Sequence, residues 1–373
     1  MAVSAPDRAS VRRRFSPRGL LPLLEALATP HGVDRYLELV HPMLTLRELR
    51  AVVTEVRRHR HAVTLTLRPT RQWQGFSAGQ FVQVSVDVDG VRHRRCYSPA
   101  CSQYRADGCL ELTVKAHDAG VVSQYLYTSA TRGLVVGLSQ AEGSFTLPEP
   151  RPRRVVLVSG GSGITPVLSM LRTLCDENYH GEIGFLHYAP DAEHVGYLDE
   201  LADLAARHDN VRLAFGFTRT GGGHVDGRFC PEHLATVAPD SDSRDAEVFV
   251  CGPAPLMEAV RGVFAAAGAE HRVHTEEFTL TPVVTDVGEA SGNVSFSRSD
   301  LSAANTGATL LEQAEAAGLR PEHGCRMGIC FSCTQVKKSG CTRDVRSGEL
   351  HSDPDTEIQL CVNVPVGDVV VDL

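Results

Sequence analysis

Five cysteines lie close together near the end of the sequence, and three of them have the spacing of a metal-binding loop. Cys325, Cys330 and Cys333 follow the pattern C-x4-C-x2-C, and Cys341 and Cys361 come later. One tight loop with this spacing can place three sulfurs on an iron–sulfur cluster, whereas zinc ribbons use paired C-x2-C knuckles. We therefore predict an iron–sulfur centre, with a structural zinc or unligated thiols as the alternative.

The segment GCRMGICFSC, followed later by a Leu-Cys pair, resembles the cluster loop of the plant-type ferredoxin domain, over about residues 288–373. The resemblance implies a β-grasp fold that carries a [2Fe-2S] cluster, with the fourth ligand in a distant segment. Cys361, with 27 residues between it and Cys333, fits that ligand better than Cys341, with only seven, which would be a spare thiol. The implied ligands are Cys325, Cys330, Cys333 and Cys361.

A second set of chemically useful residues, Arg95, Tyr97 and Ser98, forms the pattern R-x-Y-S in a short strand after a glycine turn. The planar fork of an arginine can clamp a phosphate, and a tyrosine two residues further on can lie on a flavin ring. A serine hydroxyl can reach flavin N5, which would give Ser98 a catalytic role. A buried strand tyrosine beside a surface arginine is the alternative interpretation.

The segment GVVSQYL begins about 22 residues later and opens a helical stretch. Backbone amides and a hydroxyl at a helix N-terminus can bind phosphate. Together the two motifs resemble those of the ferredoxin–NADP reductase superfamily, and that resemblance implies a bound flavin. We favour FAD over FMN because this pairing of motifs usually accompanies FAD. The implied contacts of the second motif are Gly120, Val121, Val122 and Ser123.

The segment VVLVSGGSGITPVLSML places a strand, a Gly-rich turn and a helix in the order that a phosphate loop requires. It lacks the G-x-G-x-x-G fingerprint. Together with the later strand and turn FVCGPAPLM, it resembles the nucleotide-binding half of the same superfamily. Three glycines would let the chain approach a pyrophosphate, and the next residues begin the helix: Gly160, Gly161, Gly163, Thr165 and Pro166.

The resemblance also implies residues around the nicotinamide. Cys251 would lie beside the nicotinamide C4, with Gly252 and Pro253 shaping the turn. The alternative is a small buried apolar residue at the end of a strand. The EEF segment falls where the superfamily often closes the flavin site with an acid and an aromatic ring, which implies catalytic roles for Glu277 and Phe278.

The preference between the two nicotinamide coenzymes depends on one loop. Arg219 follows the strand VRLAFGF in a Gly-rich loop, where its guanidinium can pair with a 2′-phosphate. No acidic residue stands at the end of the preceding strand to receive a ribose hydroxyl. We predict NADPH rather than NADH, with an exposed loop arginine as the alternative interpretation.

These parts predict a relay. Nicotinamide releases two electrons as a hydride and a [2Fe-2S] cluster accepts one at a time, so a flavin must stand between them. We predict electron flow from NAD(P)H through flavin to the cluster and on to an acceptor. The order of domains resembles that in reductase components of oxygenases, hydroxylases and acyl-CoA desaturases, which implies a partner protein of one of these kinds. The resemblance covers about 325 of 373 residues.

Two other functions remain open from the sequence. One is a redox-sensing or electron-transfer subunit without turnover of its own, and the other is a reductase of oxygen or a small oxidant. The sixteen histidines are dispersed, so any oxygen chemistry is expected to belong to a partner. The region 289–373 carries seven basic against twelve acidic residues, which suggests docking to a basic patch.

The elements that position these residues change character along the chain. Alternating β-branched runs predict an antiparallel flavin-binding barrel over 47–150, after a helical arm over 1–46. Short apolar strands separated by helical stretches predict an α/β NAD(P)-binding domain with a parallel sheet over 151–280. A linker over 281–290 then leads to the ferredoxin domain over 291–373. The arm looks similar to that of desaturase-associated reductases.

Composition excludes several classes of protein. A net charge of −8 argues against nucleic-acid binding, which needs a basic face. No run approaches the ~18 apolar residues that span a bilayer, so an integral membrane protein is not expected. The arginine-rich start superficially resembles an export signal, but Pro22 and Glu25 interrupt its apolar core. The irregular distribution of cysteines is unlike a disulfide framework, and we predict a cytoplasmic protein.

Overall fold

The computed structural model describes residues 37, 40–46, 48–118, 120–239, 245–278, 290–324, 326, 328 and 331–373. Leu49–Leu373 form one compact unit with three six-stranded sheets. The other unit, Met1–Glu48, is described only near its end, where the amide of His41 donates to the carbonyl of Leu37 at 3.0 Å. Most of the predicted arm and of the predicted linker lie outside the described residues. Within the described ranges, no helix is long and apolar enough to cross a bilayer.

The first sheet is antiparallel throughout, as predicted for the flavin-binding region. Its strands are β1 (Arg50–Arg58), β2 (Ala62–Pro69), β3 (Val82–Val88), β4 (Val91–Tyr97), β5 (Leu110–Lys115) and β6 (Val135–Leu138). They pair in the order β4-β3-β6-β1-β2-β5. Alternate side chains of these strands form one apolar core, which helix α1 (Val121–Ser129) joins through Val122 and Leu126.

The second sheet is parallel throughout, which confirms the predicted α/β domain. Its strands are β7 (Arg154–Gly160), β8 (Glu182–Ala189), β9 (Val211–Phe217), β10 (Val225–Asp226), β11 (Glu247–Cys251) and β12 (Val273–Glu276). They pair in the order β10-β9-β8-β7-β11-β12, so the direction of winding reverses between β7 and β11. Ligands of such sheets bind at this reversal, beyond the carboxyl ends of the strands.

Helices cover both faces of the second sheet. They are α2 (Ile164–Asp176), α3 (Leu198–Arg207), α4 (Leu234–Val237) and α5 (Ala254–Ala266). Leu157 of β7 packs with α2 and α3, while its neighbour Val158 packs with α4 and α5. The strands therefore read as continuous apolar runs, because both faces are buried. Helix α2 also contacts the first sheet region, where Ser169 Oγ donates to the carbonyl of Cys101 at 2.7 Å.

The third sheet is mixed and packs on one short helix. Its strands are β13 (Asn293–Phe296), β14 (Leu301–Ala304), β15 (Thr334–Asp344), β16 (Leu350–His351), β17 (Thr356–Gln359) and β18 (Asn363–Val371). β13 and β18 are parallel, and the remaining pairs are antiparallel. Helix α6 (Leu310–Ala316) begins with a capping box between Thr309 and Glu312, and buries Leu310 and Leu311. In this box the backbone amides of Thr309 and Glu312, which have no partner within the helix, each donate to the side chain of the other residue.

The long strand β15 was not evident from the sequence. Its pairing with β18 shifts register twice, between Lys337 and Ser339 and between Gly340 and Cys341, so the polar pattern loses its alternation. Lys337 is fully buried, and its ammonium donates to the carbonyls of Gly340 at 2.9 Å and Asp353 at 2.6 Å. A buried lysine held by carbonyls is invisible to a search for apolar periodicity.

Candidate functional site

A cavity of about 460 Å³ lies between the first sheet and the start of α2. This volume is typical of sites for small ligands and cofactors. Many of the residues predicted from the two flavin motifs, the phosphate loop and the EEF segment meet in its wall, namely Arg95, Tyr97, Ser98, Gly120, Val122, Ser123, Thr165 and Phe278. Residues that were not predicted complete the wall, and they are Cys96, Thr113, Lys115, His117 and Ser162. Motifs from distant parts of the sequence thus form one site.

The outer wall of the cavity is basic. Lys115 and His117 stand beside the start of α1, where Gly120 is the N-cap and Ser123 Oγ donates to the carbonyl of Gly120 at 3.1 Å. The ammonium group of Lys115 and a helix N-terminus together favour a bound anion such as a pyrophosphate. Thr113 and Lys115 lie two positions apart in β5, on one face of the strand, and His117 follows two residues after its end, so this alternate spacing is the signal that would find them. Val121 is 45% exposed and is not part of the wall.

Arg95 reaches beyond the cavity. Its Nη1 donates to the carbonyls of Arg94 at 2.7 Å and Gly324 at 3.4 Å, and Gly324 directly precedes Cys325. Two further contacts tie the first sheet to the cysteine loop. Arg94 pairs with Glu322 at 2.7 Å, and Ser332 Oγ lies 3.5 Å from Gln83 Oε1. Strand β4 therefore borders both the cavity and the cysteine loop.

Glu276, a half-buried residue whose Oε2 atom is fully buried, faces Ser98 at the inner end of the site. Ser98 is 2% exposed, and neither its Oγ nor Glu276 Oε2 has a hydrogen-bond partner within the part of the chain that is described. Burial raises the pKa of Glu276 to about 8, and the nearby Ser98 hydroxyl opposes that rise, although no hydrogen bond of normal geometry joins them. Burial therefore favours the protonated form of Glu276 at neutral pH, and its Oε2 and Ser98 Oγ are two buried polar atoms at this end of the site.

Glu276 lies opposite Cys251 in the register of β11 and β12. Cys251 is fully buried, and its burial together with the carboxylates of Glu276 and Glu277 raises the pKa of the thiol. Glu277, the acid favoured from the sequence, is exposed, whereas the carboxyl of Glu276 is buried beside Ser98. Glu276 is the last residue of β12 and Glu277 follows the strand, and this difference in position separates two adjacent glutamates.

The phosphate loop packs tightly against the turn after β11. A Cβ atom on Gly163 would lie 2.1 Å from the carbonyl oxygen of Cys251, and one on Gly160 would lie 2.8 Å from Pro253. Only glycine permits this approach. Gly161 has a φ of +56° and open space beside it. Two of the three predicted glycines thus serve the packing of the loop on the turn, and Gly161 leaves an open face.

The remaining nucleotide-site residues lie along the same edge of the second sheet. Thr165 and Pro166 are buried in the first turn of α2, and Gly252 follows β11. Arg219 is exposed in the loop after β9, and its amide donates to the carbonyl of Pro190 at 3.0 Å. This bond ties the loop to the end of β8. Arg219 therefore stands at the carboxyl edge of the sheet, outside the cavity wall.

The described part of the cysteine loop brings two of the four predicted ligands together. Cys333 and Cys361 are buried, and the amide of Cys361 donates to Cys333 Sγ at 3.5 Å. Cys325 and Cys330 lie outside the described residues. Among the residues that the structure describes, no group of three or more His, Cys, Asp or Glu side chains is arranged to hold a metal ion. Cys341 is half-buried on β15, with its Sγ directed at the carbonyl of Thr342, 3.9 Å away.

The backbone around these thiols is tightly curled. Arg326, Gly328 and Phe331 have φ values of 57°, 72° and 54°. A Cβ atom on Gly328 would lie 2.5 Å from the Nη1 of Arg346, which donates to the carbonyl of Gly328 at 2.7 Å. Left-handed residues at this density are unusual outside functional loops. The hydrogen bond from Arg346 ties the loop to the strands of the third sheet, and the positive φ and close contacts at position 328 favour glycine there.

Known domain families match the two halves of the cavity. Residues 46–147 match the Oxidoreductase FAD-binding domain, and residues 157–262 match the Oxidoreductase NAD-binding domain. The first range contains β1 to β6 and α1, and the second contains the phosphate loop and the turn after β11. Wall residues from Arg95 to Ser123 therefore belong to the first matched domain, and Ser162 and Thr165 belong to the second.

Similar proteins cover most of the chain. It is 36% identical to an NADPH oxidoreductase of Mycobacterium tuberculosis over 376 residues, covering 99% of this chain and 96% of that protein. It is 31% identical to the glycine betaine monooxygenase reductase subunit of Pseudomonas aeruginosa, covering 80% and 87%. Among solved structures it is similar to phthalate dioxygenase reductase, described as a modular structure for electron transfer from pyridine nucleotides to [2Fe-2S]. That likeness has a TM-score of 0.61 and 26% identity, over 88% of this chain and 98% of that one.

Proposed function

The chain belongs to the ferredoxin–NADP reductase family, in which an FAD-binding domain is joined to an NAD-binding domain, and we propose that it is the reductase component of an oxygenase system. Its activity is that of an NAD(P)H oxidoreductase. The observation that carries the proposal is that Tyr97 and Ser98 of the first sheet region line the same cavity as Thr165 of the second. A flavin there would lie against the edge of the sheet that binds the nicotinamide coenzyme.

The residues of the cavity suit FAD. Lys115, His117 and the start of α1 would hold its pyrophosphate, and the guanidinium of Arg95 would add a second permanent positive charge. Tyr97 would lie on the ring system. FAD supplies the chemistry of accepting a hydride and releasing its electrons singly. The match to an FAD-binding domain favours FAD over FMN.

Ser98, Cys251 and Glu276 form the polar inner end of the proposed site. Because burial favours the protonated form of Glu276 at neutral pH, this carboxyl would serve as a proton source beside Ser98. Phe278 lines the cavity and packs on the core of the second sheet, where it would exclude water. We assign the acid role to Glu276 ahead of Glu277, which is exposed.

The NADPH site is proposed for the carboxyl edge of the second sheet. Gly160, Gly161 and Gly163 would face the pyrophosphate, Gly252 and Pro253 would shape the nicotinamide pocket, and Cys251 would border it. Each of these residues lies at or directly after the end of β7 or β11. The relative named NADPH oxidoreductase supports NADPH as the coenzyme.

Arg219→Ala is expected to raise the KM for NADPH roughly tenfold and to leave the KM for NADH unchanged. The exposed guanidinium would bind the 2′-phosphate, and a charge-assisted hydrogen bond contributes about 1.5–3 kcal/mol. Initial rates with each coenzyme measure the effect. Arg212→Ala, an exposed arginine near the opposite end of β9, is the control. Equal changes for the two coenzymes would contradict the role of Arg219.

We propose that the third sheet is a plant-type ferredoxin domain of the β-grasp fold. Its mixed sheet packed on α6 and the contact between Cys333 and Cys361 support this proposal. Cys325, Cys330, Cys333 and Cys361 would be the ligands of a [2Fe-2S] cluster, which accepts and releases one electron at a time. The solved reductase named for electron transfer to [2Fe-2S] adds support.

We propose an oxygenase as the acceptor, because one relative is named as a subunit of a monooxygenase. A hydroxylase or membrane desaturase is a less supported alternative. The net charge of −5 over residues 289–373 suits a partner with a basic docking patch, as in transient electron-transfer encounters. A cytoplasmic location is proposed with this partner.

The proposal is tested on the purified holoprotein. We expect an absorption spectrum with flavin and iron–sulfur bands, FAD on extraction, and bleaching on anaerobic titration with NADPH. Rapid NADPH-dependent reduction of cytochrome c is expected as well. Intact cofactors with negligible turnover would instead indicate a redox sensor, and consumption of NADPH that is undiminished without a protein acceptor would indicate a reductase of oxygen.

A further inference from the structure

A chain of ion pairs joins the first sheet to the helices of the second. Arg172 of α2 donates through Nη1 to Glu111 Oε1 of β5 at 2.8 Å and to the carbonyl of Ala100 at 2.7 Å. Its Nε and Nη2 donate to the two carboxylate oxygens of Glu200 in α3, both at 2.7 Å. The other oxygen of Glu111 accepts from Arg57 of β1 at 2.6 Å. One guanidinium thus binds groups on both sides of the boundary between the two sheets.

The contacts of Arg172 are largely shielded from water. Its side chain is 15% exposed and that of Glu111 is 7% exposed, so their attraction is screened little by salt. The guanidinium also lies over the ring of Tyr197, 5.3 Å from the centroid. Four donor contacts in fixed planar directions require an arginine, because a lysine has a single nitrogen and cannot reproduce the fork.

The position of this cluster relates it to the cavity. Glu111 shares its strand face with Thr113 and Lys115, which line the cavity two and four residues further on. Arg172 follows Thr165 by seven residues, two turns along the same side of α2. The carbonyl of Ala100 lies two residues after Ser98. The cluster therefore joins the two walls between which the flavin and the nicotinamide would meet.

We propose that Arg172 is a positioning residue for hydride transfer. By holding α2 against β5 and the segment after Ser98, it fixes the distance between the nicotinamide edge of the second sheet and the flavin wall of the first. This inference rests on the proposed function. Reacting atoms must lie within about 3–3.5 Å, and a misplacement of about 1 Å can slow a reaction roughly 100-fold.

Two features of the cluster provide controls. Glu200 binds Arg172 from within the second sheet's own helices, so Glu200→Gln weakens the cluster without cutting its link to Glu111 and Ala100. Arg172→Met alone would leave Glu111 and Glu200 without this cation, which can prevent folding. The double variant Glu111→Gln/Arg172→Met removes both members of the buried cross-boundary pair, a change that proteins often tolerate. Arg172→Lys keeps the charge and loses the fork.

The experiment is stopped-flow reduction of the flavin-loaded holoenzyme by NADPH without oxygen. We expect the maximal rate to fall about 10- to 100-fold in the double variant and less in Arg172→Lys, with flavin content and the Kd for NADPH nearly unchanged. NADPH deuterated at C4 should show a larger isotope effect in the double variant, because hydride transfer becomes more limiting. Glu200→Gln should stay within about twofold of wild type.

Three outcomes would contradict the positioning role of Arg172. Wild-type rates in the flavin-loaded double variant and in Arg172→Lys would overturn the inference alone. Equal slowing by Glu200→Gln would overturn it too, since that result would mark the cluster as general support. A wild-type enzyme that binds FAD but is reduced by neither NADPH nor NADH would overturn the proposed function, and the inference with it.

Discussion

Cys333→Ser and Cys361→Ser are each expected to abolish bound iron and acid-labile sulfide. Both cysteines are buried, and the amide of Cys361 donates to Cys333 Sγ. A [2Fe-2S] cluster requires four thiolates, so one missing sulfur would leave the iron without a complete ligand set. NADPH-dependent reduction of cytochrome c should fall to near the uncatalysed rate. Reduction of ferricyanide should persist, because this small oxidant can take electrons directly from flavin. Iron analysis, the visible spectrum and both assays measure the effect.

Cys341→Ser is the matched control for these variants. Cys341 lies in β15, the strand that begins directly after Cys333, and its thiol is directed at the carbonyl of Thr342. We expect it to retain iron and both activities. Unchanged iron in Cys333→Ser and Cys361→Ser would contradict the proposed ligand set. Zinc in place of iron in the native protein would favour the alternative of a structural zinc site.

The sequence predicts those parts of the site that are local in the chain. Arg95 and Tyr97 lie in β4 and Ser98 directly follows it, so three residues within four positions of the chain line one wall, and their types and order point to one site. The first two sheets are also predictable from the sequence. Alternating runs indicate strands with one buried face, as in the antiparallel sheet, and continuous apolar runs indicate strands buried on both faces, as in the parallel sheet.

The contacts between distant segments were not predictable. Arg172 and Glu111 are separated by 61 positions, and nothing in their neighbouring residues pairs them. Gly163 was expected to admit a pyrophosphate, but its lack of a side chain also admits the carbonyl of Cys251 from another strand. Lys337 breaks the apolar pattern of β15 because two backbone carbonyls satisfy its charge in the interior. Each of these features depends on the register between elements, which the composition of one element does not encode.

The proposed role of Glu276 also depends on the register between elements. It follows from the pairing of Glu276 with Cys251 and from the burial of its Oε2 beside Ser98. A carboxyl group kept protonated at neutral pH is suited to proton transfer, and such groups typically contribute 10²- to 10⁴-fold to a rate. Glu276→Gln keeps the shape and hydrogen-bonding capacity of the protonated acid but cannot exchange its proton. We therefore expect turnover with NADPH and cytochrome c to fall by about 100-fold, while flavin content is retained.

The pH dependence of Glu276→Gln should differ from that of wild type in both activity and stability. Burial raises the pKa of Glu276 from 4.5 to about 8, so wild-type turnover should show an inflection near pH 8 that the variant lacks. Between these values the folded protein binds more protons than the unfolded chain, and wild-type stability declines as pH rises through the window. Glutamine does not titrate. The variant should therefore become progressively more stable relative to wild type from about pH 5 to pH 8.

Glu277→Gln separates this effect from a general loss of negative charge. Glu277 is the next residue along the chain and is exposed, so its substitution should change turnover and stability little at any pH. Thermal unfolding and steady-state assays on both variants from pH 5 to pH 9 make the comparison. A large effect of Glu277→Gln with none from Glu276→Gln would return the acid role to Glu277. Because only the buried carboxyl faces Ser98, we expect the reverse.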